Sequence, residues 1–196
     1  MRIHHIERID INHLGPDPRE VLFWKFILFL AMKLKHEQHI RKIEDSDRDW
    51  LQRILSESWG SARIVTRGTI HQADSLSGFL AEVENQNVGV ITWNVNESML
   101  EIITLNVLRQ REGIGRALVN AVIGEAESLK CSRVWVITTN DNNQAVQFYQ
   151  ALGFKVIAVH KGAVNESRKI KPEIPLIGID GIPITDEIEL EKILSG

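Results

Sequence analysis

Cysteine is nearly absent from this 196-residue chain. Cys131 stands alone, so no intrachain disulfide can form, and a reducing cytoplasm is the expected setting. A lone cysteine between a helix and a strand is expected to be a small filler rather than a nucleophile. A basic surplus is also missing. The formal net charge of −3 gives no electrostatic case for a nucleic-acid partner. Long apolar runs are missing too. VLFWKFILFLAM, from Val21 to Met32, is interrupted by Lys25 and falls short of the about 20 residues a bilayer span needs, so no membrane partner is expected. Glu7 and Asp10 precede it and no small-residue cleavage site follows, which argues against a secretory signal. There is no internal repeat. The histidines, His71 and His160 included, lack metal-ligand spacing, so no metal is expected. What is present, 43% hydrophobic and 25% charged residues, is the composition of an ordinary globular domain. The length suits one domain with an appendage.

Asp17-Pro18 offers an N-cap and a first-turn proline, and the residues that follow lack glycine and proline. A helix from Arg19 to His39 is predicted, making residues 1–39 an N-terminal helical extension. Its aromatic-rich surface is expected to pack on the domain or on a second copy, as in a homodimer. An interfacial membrane helix is the alternative, and a natural start at Met32 is a third. From Ile40 the texture changes, and residues 40–196 read as one domain. IRKI is a short strand, and Asp45-Ser46 caps a helix carrying Trp50, Leu51, Ile54 and Leu55 at helical spacing. RIVTRG and GFLAEVE are strand candidates, the latter turning through ENQN into VGVITWNV as a hairpin. MLEIITLNV is apolar on both faces, hence central in its sheet. Gly115 to Lys130 is a helix with Leu118, Val122, Ala126 and Leu129 along one side. SRVWVIT is a buried strand, Gln144 to Leu152 a short helix closed by Gly153, and GFKVIAV and DEIELEKIL the last strands. This order describes an α/β fold with a mixed sheet.

Between MLEIITLNV and the long helix lies Gln-Arg-Glu-Gly-Ile-Gly-Arg-Ala-Leu, from Gln110 to Leu118. Strand, glycine turn, helix is the order that presents free backbone N–H groups and a helix dipole to an anion. A phosphate-binding P-loop would need Gly-Lys-Ser/Thr, and Gly115 is followed by Arg116-Ala117. A dinucleotide turn would need a small residue where Leu118 stands. Both fail, which leaves a plain connecting turn or a third pattern, Gln/Arg-x-x-Gly-x-Gly/Ala. Gln110, Gly113 and Gly115 fill that pattern, Glu101-Ile102-x-x-Leu105-x-Val107 precedes it, and Asn142-x-x-Ala145-x-x-Phe148-Tyr149 closes downstream in Leu152-Gly153-Phe154. In these three stretches the chain resembles the GNAT acetyltransferases, from about Ile40 to Leu194.

The resemblance implies a mixed, mostly antiparallel sheet flanked by helices, with a gap between its fourth and fifth strands. It implies acetyl-CoA as co-substrate and an amine acceptor. The turn would wrap the pyrophosphate with the backbone amides of Arg111, Glu112, Gly113, Ile114, Gly115 and Arg116, beside Gln110. Leu105, Asn106 and Val107 would offer main-chain groups to the pantetheine arm, and a β-bulge would open the gap. Leu-Arg-Gln-Arg-Glu is shorter than the family's usual turn and lacks its proline. The loop is therefore expected to be tight, with the amides mattering more than the Gln110 side chain.

Acetyl transfer to an amine needs a neutral amine, a polarised carbonyl and a proton for the leaving thiolate. Glu101 is the candidate base. Strict alternation puts it on one face with Met99, Ile103, Leu105 and Val107, and burial raises a carboxylate's pKa toward neutrality. The competing reading is a buried Glu paired with an Arg or an amide. Tyr149, the chain's single tyrosine, is by the resemblance the general acid, and by helical spacing with Ala145 and Leu152 a core aromatic. Asn142 reads both as an N-cap and as a coenzyme contact. Arg168, Lys169 and Lys171 are expected on a solvated face, in a connection longer than usual before the last strand. Glu187, Glu189 and Glu191 share one side of that strand; solvent is the default, and a cationic acceptor follows if they face the cleft. The leading expectation is an N-acetyltransferase, and the alternative a non-catalytic acyl-CoA-binding sensor.

Overall fold

The structure, a computed structural model, describes residues 21–27 and 38–194. It divides between Glu37 and Gln38 into two units. In the first, residues 21–27 are helical (α1), with Leu22, Phe23 and Phe26 exposed. The remainder of the helix expected from Arg19, and Met32 with it, lies outside the described residues. His39, expected as the last helical residue, already belongs to a strand. Among the described residues no helix is long and apolar enough to cross a membrane.

The second unit is built on one seven-stranded sheet. Its elements are β1 (His39–Lys42), α2 (Arg48–Trp59), β2 (Arg63–Thr66), β3 (Thr69–Gln72), β4 (Ser77–Val83), β5 (Gln86–Asn96), β6 (Met99–Val107), α3 (Ile114–Ser128), β7 (Arg133–Thr139), α4 (Asn143–Gln150), β8 (Lys155–His160), α5 (Ala163–Ile170) and β9 (Glu187–Ile193). The sheet order is β1-β4-β5-β6-β7-β9-β8, and β2-β3 form a separate hairpin. Every pair is antiparallel except β6 with β7. The β4–β5 hairpin turns at Glu84 and Asn85, both at positive φ (54° and 60°), the backbone that twists a two-residue turn to match its strands.

Two apolar layers hold the sheet. Leu118, Val119, Val122 and Ala126 of α3 pack with Leu100, Ile102, Val134 and Val136 on one face; Leu51 and Leu55 of α2 pack with Leu80, Val90 and Ile103 on the other. Leu129, expected on the buried side of α3, falls just beyond the helix and is exposed. The cap of α2 also differs from expectation. Asp47, the buried last residue of a 3-10 turn and the N-cap of α2, accepts from Arg41 at 2.6 and 2.9 Å and from the Glu44 amide at 2.8 Å. Arg41 holds the Asp47 carboxyl below the usual carboxylate range.

Candidate active site

The site begins with a fault in β6. Thr92 pairs with Thr104 but Trp93 pairs with Ile102, so Ile103 is an extra residue, a β-bulge. The bulge switches which way later side chains point. Ile103 packs with the α2 layer, whereas Leu105 and Val107 pack with the α3 layer. The single apolar row expected from strict alternation is therefore broken after Ile103, which stays on the α2 side while Leu105 and Val107 turn to the α3 side. The parallel pairing of β6 with β7 also ends at Ile102 and Val136, while β7 stays paired with β9 through Thr139. Beyond Ile102 the strands part, leaving an open strand edge on β6 that a ligand's amides can pair with. This is the gap expected between the fourth and fifth strands.

A cleft of about 610 Å³ fills the parting, within the size range of small-molecule sites. Leu105, Asn106, Val107, Gln110, Arg111, Gly113, Ile114, Gly115, Arg116, Asn142 and Tyr149 all line it. Glu112 does not, and its carbonyl accepts from the Gln38 side chain. The turn is tight, with Arg111 at φ 65° and Gly113 at φ 81° as the N-cap of α3. Ala117 N–H donates to Gly113 O at 3.0 Å, so the amides of Ile114, Gly115 and Arg116 stand ahead of the first intrahelical bond. Those amides and the helix dipole suit a phosphate. Gly115 serves packing: a Cβ there would meet Phe148 Cζ at 3.3 Å and Val107 Cγ2 at 3.4 Å.

Among the residues lining the cleft, Tyr149 is buried with its ring edge-on to Phe148 (5.1 Å) and Phe154 (5.3 Å). Its hydroxyl has no hydrogen-bond partner among the described residues, and burial holds its pKa above the usual phenol value. The group thus stays protonated at neutral pH. Asn142 caps α4, its Oδ1 accepting from Ala145 N–H at 3.0 Å, and lines the cleft as well. The lining also includes residues not expected there from the sequence, among them Trp59, whose Nε1–H donates to Asn106 Oδ1 at 3.2 Å, Arg109 and Gln144.

Glu101 does not line this cleft. It lies in a smaller pocket of about 160 Å³ with Thr66, Arg67, Thr69, His71, Asn94, Asn96, Met99 and Trp135. Thr66 Oγ1 donates to Glu101 Oε1 at 2.7 Å, while Oε2 has no donor among the described residues, His71 Nε2 standing 3.8 Å off. Burial pushes the Glu101 carboxyl up to about 7; Thr66 opposes this, and the charges of Glu189 and Glu187 add to it. An acid raised from its ordinary 4.5 to about 7 destabilises the fold once it ionises, by on the order of 3 kcal/mol. The unfolded chain releases this proton first, so stability falls as pH rises from 4.5 to 7. Glu101→Gln is therefore expected to raise the melting temperature at pH ~8 and to lose that advantage below pH ~4. Equal melting temperatures at both values would contradict the burial cost.

The last strand departs from the default. Glu187 and Glu189 are buried, not solvated. Ser167 Oγ donates to Glu187 at 3.0 Å and the Arg67 amide at 3.1 Å; Arg67, Arg133 and His160 surround Glu189 at 2.9–3.4 Å. The expected basic face is likewise mostly internal. Lys171 is buried, its Nζ donating to the carbonyls of Trp59 and Arg63 at 2.7 Å each, and Arg168 donates to the carbonyls of Ile174, Pro175 and Ile184. Lys169 alone remains at the surface, paired with Glu166. Cys131 is buried, and burial raises its thiol pKa, as suits a filler. Among the described residues no cluster of His, Cys, Asp or Glu converges as a metal site.

A model of the Acetyltransferase (GNAT) family matches residues 44–154. The Bacillus subtilis (strain 168) protein YdhI, itself uncharacterized, is 37% identical over 142 residues, covering 72% of this chain and 89% of that one. Among solved structures, an IAA acetyltransferase from Bacillus cereus ATCC 14579 has a TM-score of 0.64 at 20% identity, covering 81% of this chain and 100% of that one. A Bacillus subtilis acetyltransferase solved in complex with CoA has a TM-score of 0.61 at 18% identity, with the same coverage. At these identities the two structures speak for the fold.

Proposed function

Because the chain belongs to the GNAT acetyltransferase family, we propose that it moves an acetyl group from acetyl-CoA to a primary amine of a small molecule or protein. The observation that carries this reading is the parting of β6 and β7 beside the glycine turn, with a cleft lined by that turn and by Tyr149. The free amides ahead of α3 would hold the pyrophosphate, and the open edge of β6 would pair with the pantetheine arm. The co-substrate supplies the activated acyl group, and this chain supplies orientation and protons.

Glu101 is assigned as the base. Its Oε2 takes a proton from the amine, leaving a neutral nitrogen to form the new C–N bond. Tyr149 is assigned as the acid, giving its proton to the sulfur as the C–S bond breaks. The pocket around Glu101, at about 160 Å³, suits the amine end of an acceptor whose remainder stays outside. Balanced over the turnover, an ammonium and a thioester become an amide, a thiol and a released proton.

Thiol release from acetyl-CoA, measured against a panel of amines, tests the proposal. Release that depends on one amine class supports it and identifies the acceptor. Coenzyme binding with no amine-dependent release across small amines and peptide amino groups would instead make the chain an acyl-CoA sensor.

A further inference from the structure

We infer that Thr66 and His71 are positioning residues for Glu101, holding its Oε1 so that Oε2 remains the oxygen presented to the acceptor amine. This rests on the reading of Glu101 as base. Thr66 Oγ1 stands 2.7 Å from Glu101 Oε1 and 2.9 Å from His71 Nε2. A hydroxyl carries one proton, and an ionised carboxylate can only accept. Thr66 therefore gives its proton to Glu101 and must itself accept from His71, which fixes the ring as its Nε2–H tautomer. Burial holds His71 below its ordinary pKa, so the ring is neutral at neutral pH. All three residues are at most 7% exposed, so bulk water does not compete for these bonds.

The hairpin makes the arrangement local. Thr66 pairs with Thr69 and Ile64 with His71, so Ile64, Thr66, Thr69 and His71 share one face of β2–β3, turned to the sheet. The charged groups around Glu101 come from the hairpin turn and from β9. Arg67 favours its ionised form, and Glu187 and Glu189 oppose it, Glu189 being partly offset by Arg67 and Arg133 and hydrogen-bonded to His160. Within that set the Thr66 hydroxyl is the one side chain that donates to the carboxylate among the described residues. When Oε2 takes up the amine's proton, Oε1 is still an acceptor, so the Thr66 bond survives the step. Without the hydroxyl, the ionised form loses its donor and the two oxygens lose their distinction.

Two measurements on the full chain test this. Long-range 15N–1H correlation of the His71 ring at pH ~8 is expected to show the Nε2–H tautomer; the Nδ1–H tautomer overturns the inference. In the pH dependence of kcat/KM, Thr66→Val is expected to move the limb that reports the base upward by about one to two units, and Thr66→Ser to restore it. His71→Gln keeps an N–H donor without the ring and should leave the limb near its wild-type place, whereas His71→Phe should move it. A Thr66→Val limb that stays in place while Glu101→Gln abolishes transfer at pH ~7 sinks this inference and leaves the base assignment standing. Wild-type transfer by Glu101→Gln at that pH sinks the base assignment itself.

Discussion

Tyr149→Phe is expected to lower kcat by about 10²–10⁴-fold while leaving acetyl-CoA affinity nearly unchanged. The ring's packing against Phe148 and Phe154 is retained in phenylalanine, and the hydroxyl leaves no protein partner stranded among the described residues. The stability change should therefore be small, and the loss should sit in turnover. Alkali should not rescue the variant, because the leaving thiolate still lacks a donor. In the wild type, burial keeps the phenol protonated well into the alkaline range, so Tyr149 should set no limb near neutrality. Single-turnover kinetics with calorimetry of acetyl-CoA binding checks both halves. A kcat close to wild type would reduce Tyr149 to a core aromatic.

Gly113→Val should weaken acetyl-CoA binding by at least about tenfold, because a β-branched residue at positive φ costs about 1–3 kcal/mol and the turn would have to reshape. Gly113 sits at φ 81° immediately ahead of the amides assigned to the pyrophosphate. The site has room for a Cβ, whose nearest non-adjacent neighbour among the described residues would be Gln38 Nε2 at 3.8 Å, so conformation and not crowding is the obstacle. Gly113→Asn is the control, since asparagine tolerates the left-handed backbone. It should keep most of the affinity. Calorimetry showing Gly113→Val folded and binding as wild type would remove the turn from the coenzyme site.

The parts legible in the sequence were those written in local pattern. The strand–turn–helix from β6 to α3 and the β4–β5 hairpin follow from runs of apolar residues bounded by turn residues. Less legible was whatever depended on a distant partner. β3 is four residues with His71 alone buried, too short and polar to read as a strand, yet it brings His71 beside Thr66 and Glu101. The helix α5 has one buried apolar residue, Val164, and lay inside what read as a long connection. Glu187 and Glu189 look like solvent-facing charges along β9 because their partners, Arg67, Arg133, Ser167 and His160, come from four other places in the chain. The bulge at Ile103 leaves the apolar texture of β6 unchanged, so alternation ran past it and assigned Leu105 and Val107 to the wrong face.

Whether this chain divides its proton chemistry between Glu101 and Tyr149 is decided by the pH profiles of the two variants measured side by side. For Glu101→Gln, the deficit in kcat/KM should be greatest near pH ~7 and should shrink in alkali, where the amine is neutral without help. The wild type should show a limb near the value of about 7 that burial gives Glu101, and the variant should lack it. Tyr149→Phe should keep that limb and run parallel below the wild type at every pH. Superimposable profiles for the two variants, even with both impaired, would contradict the division of roles.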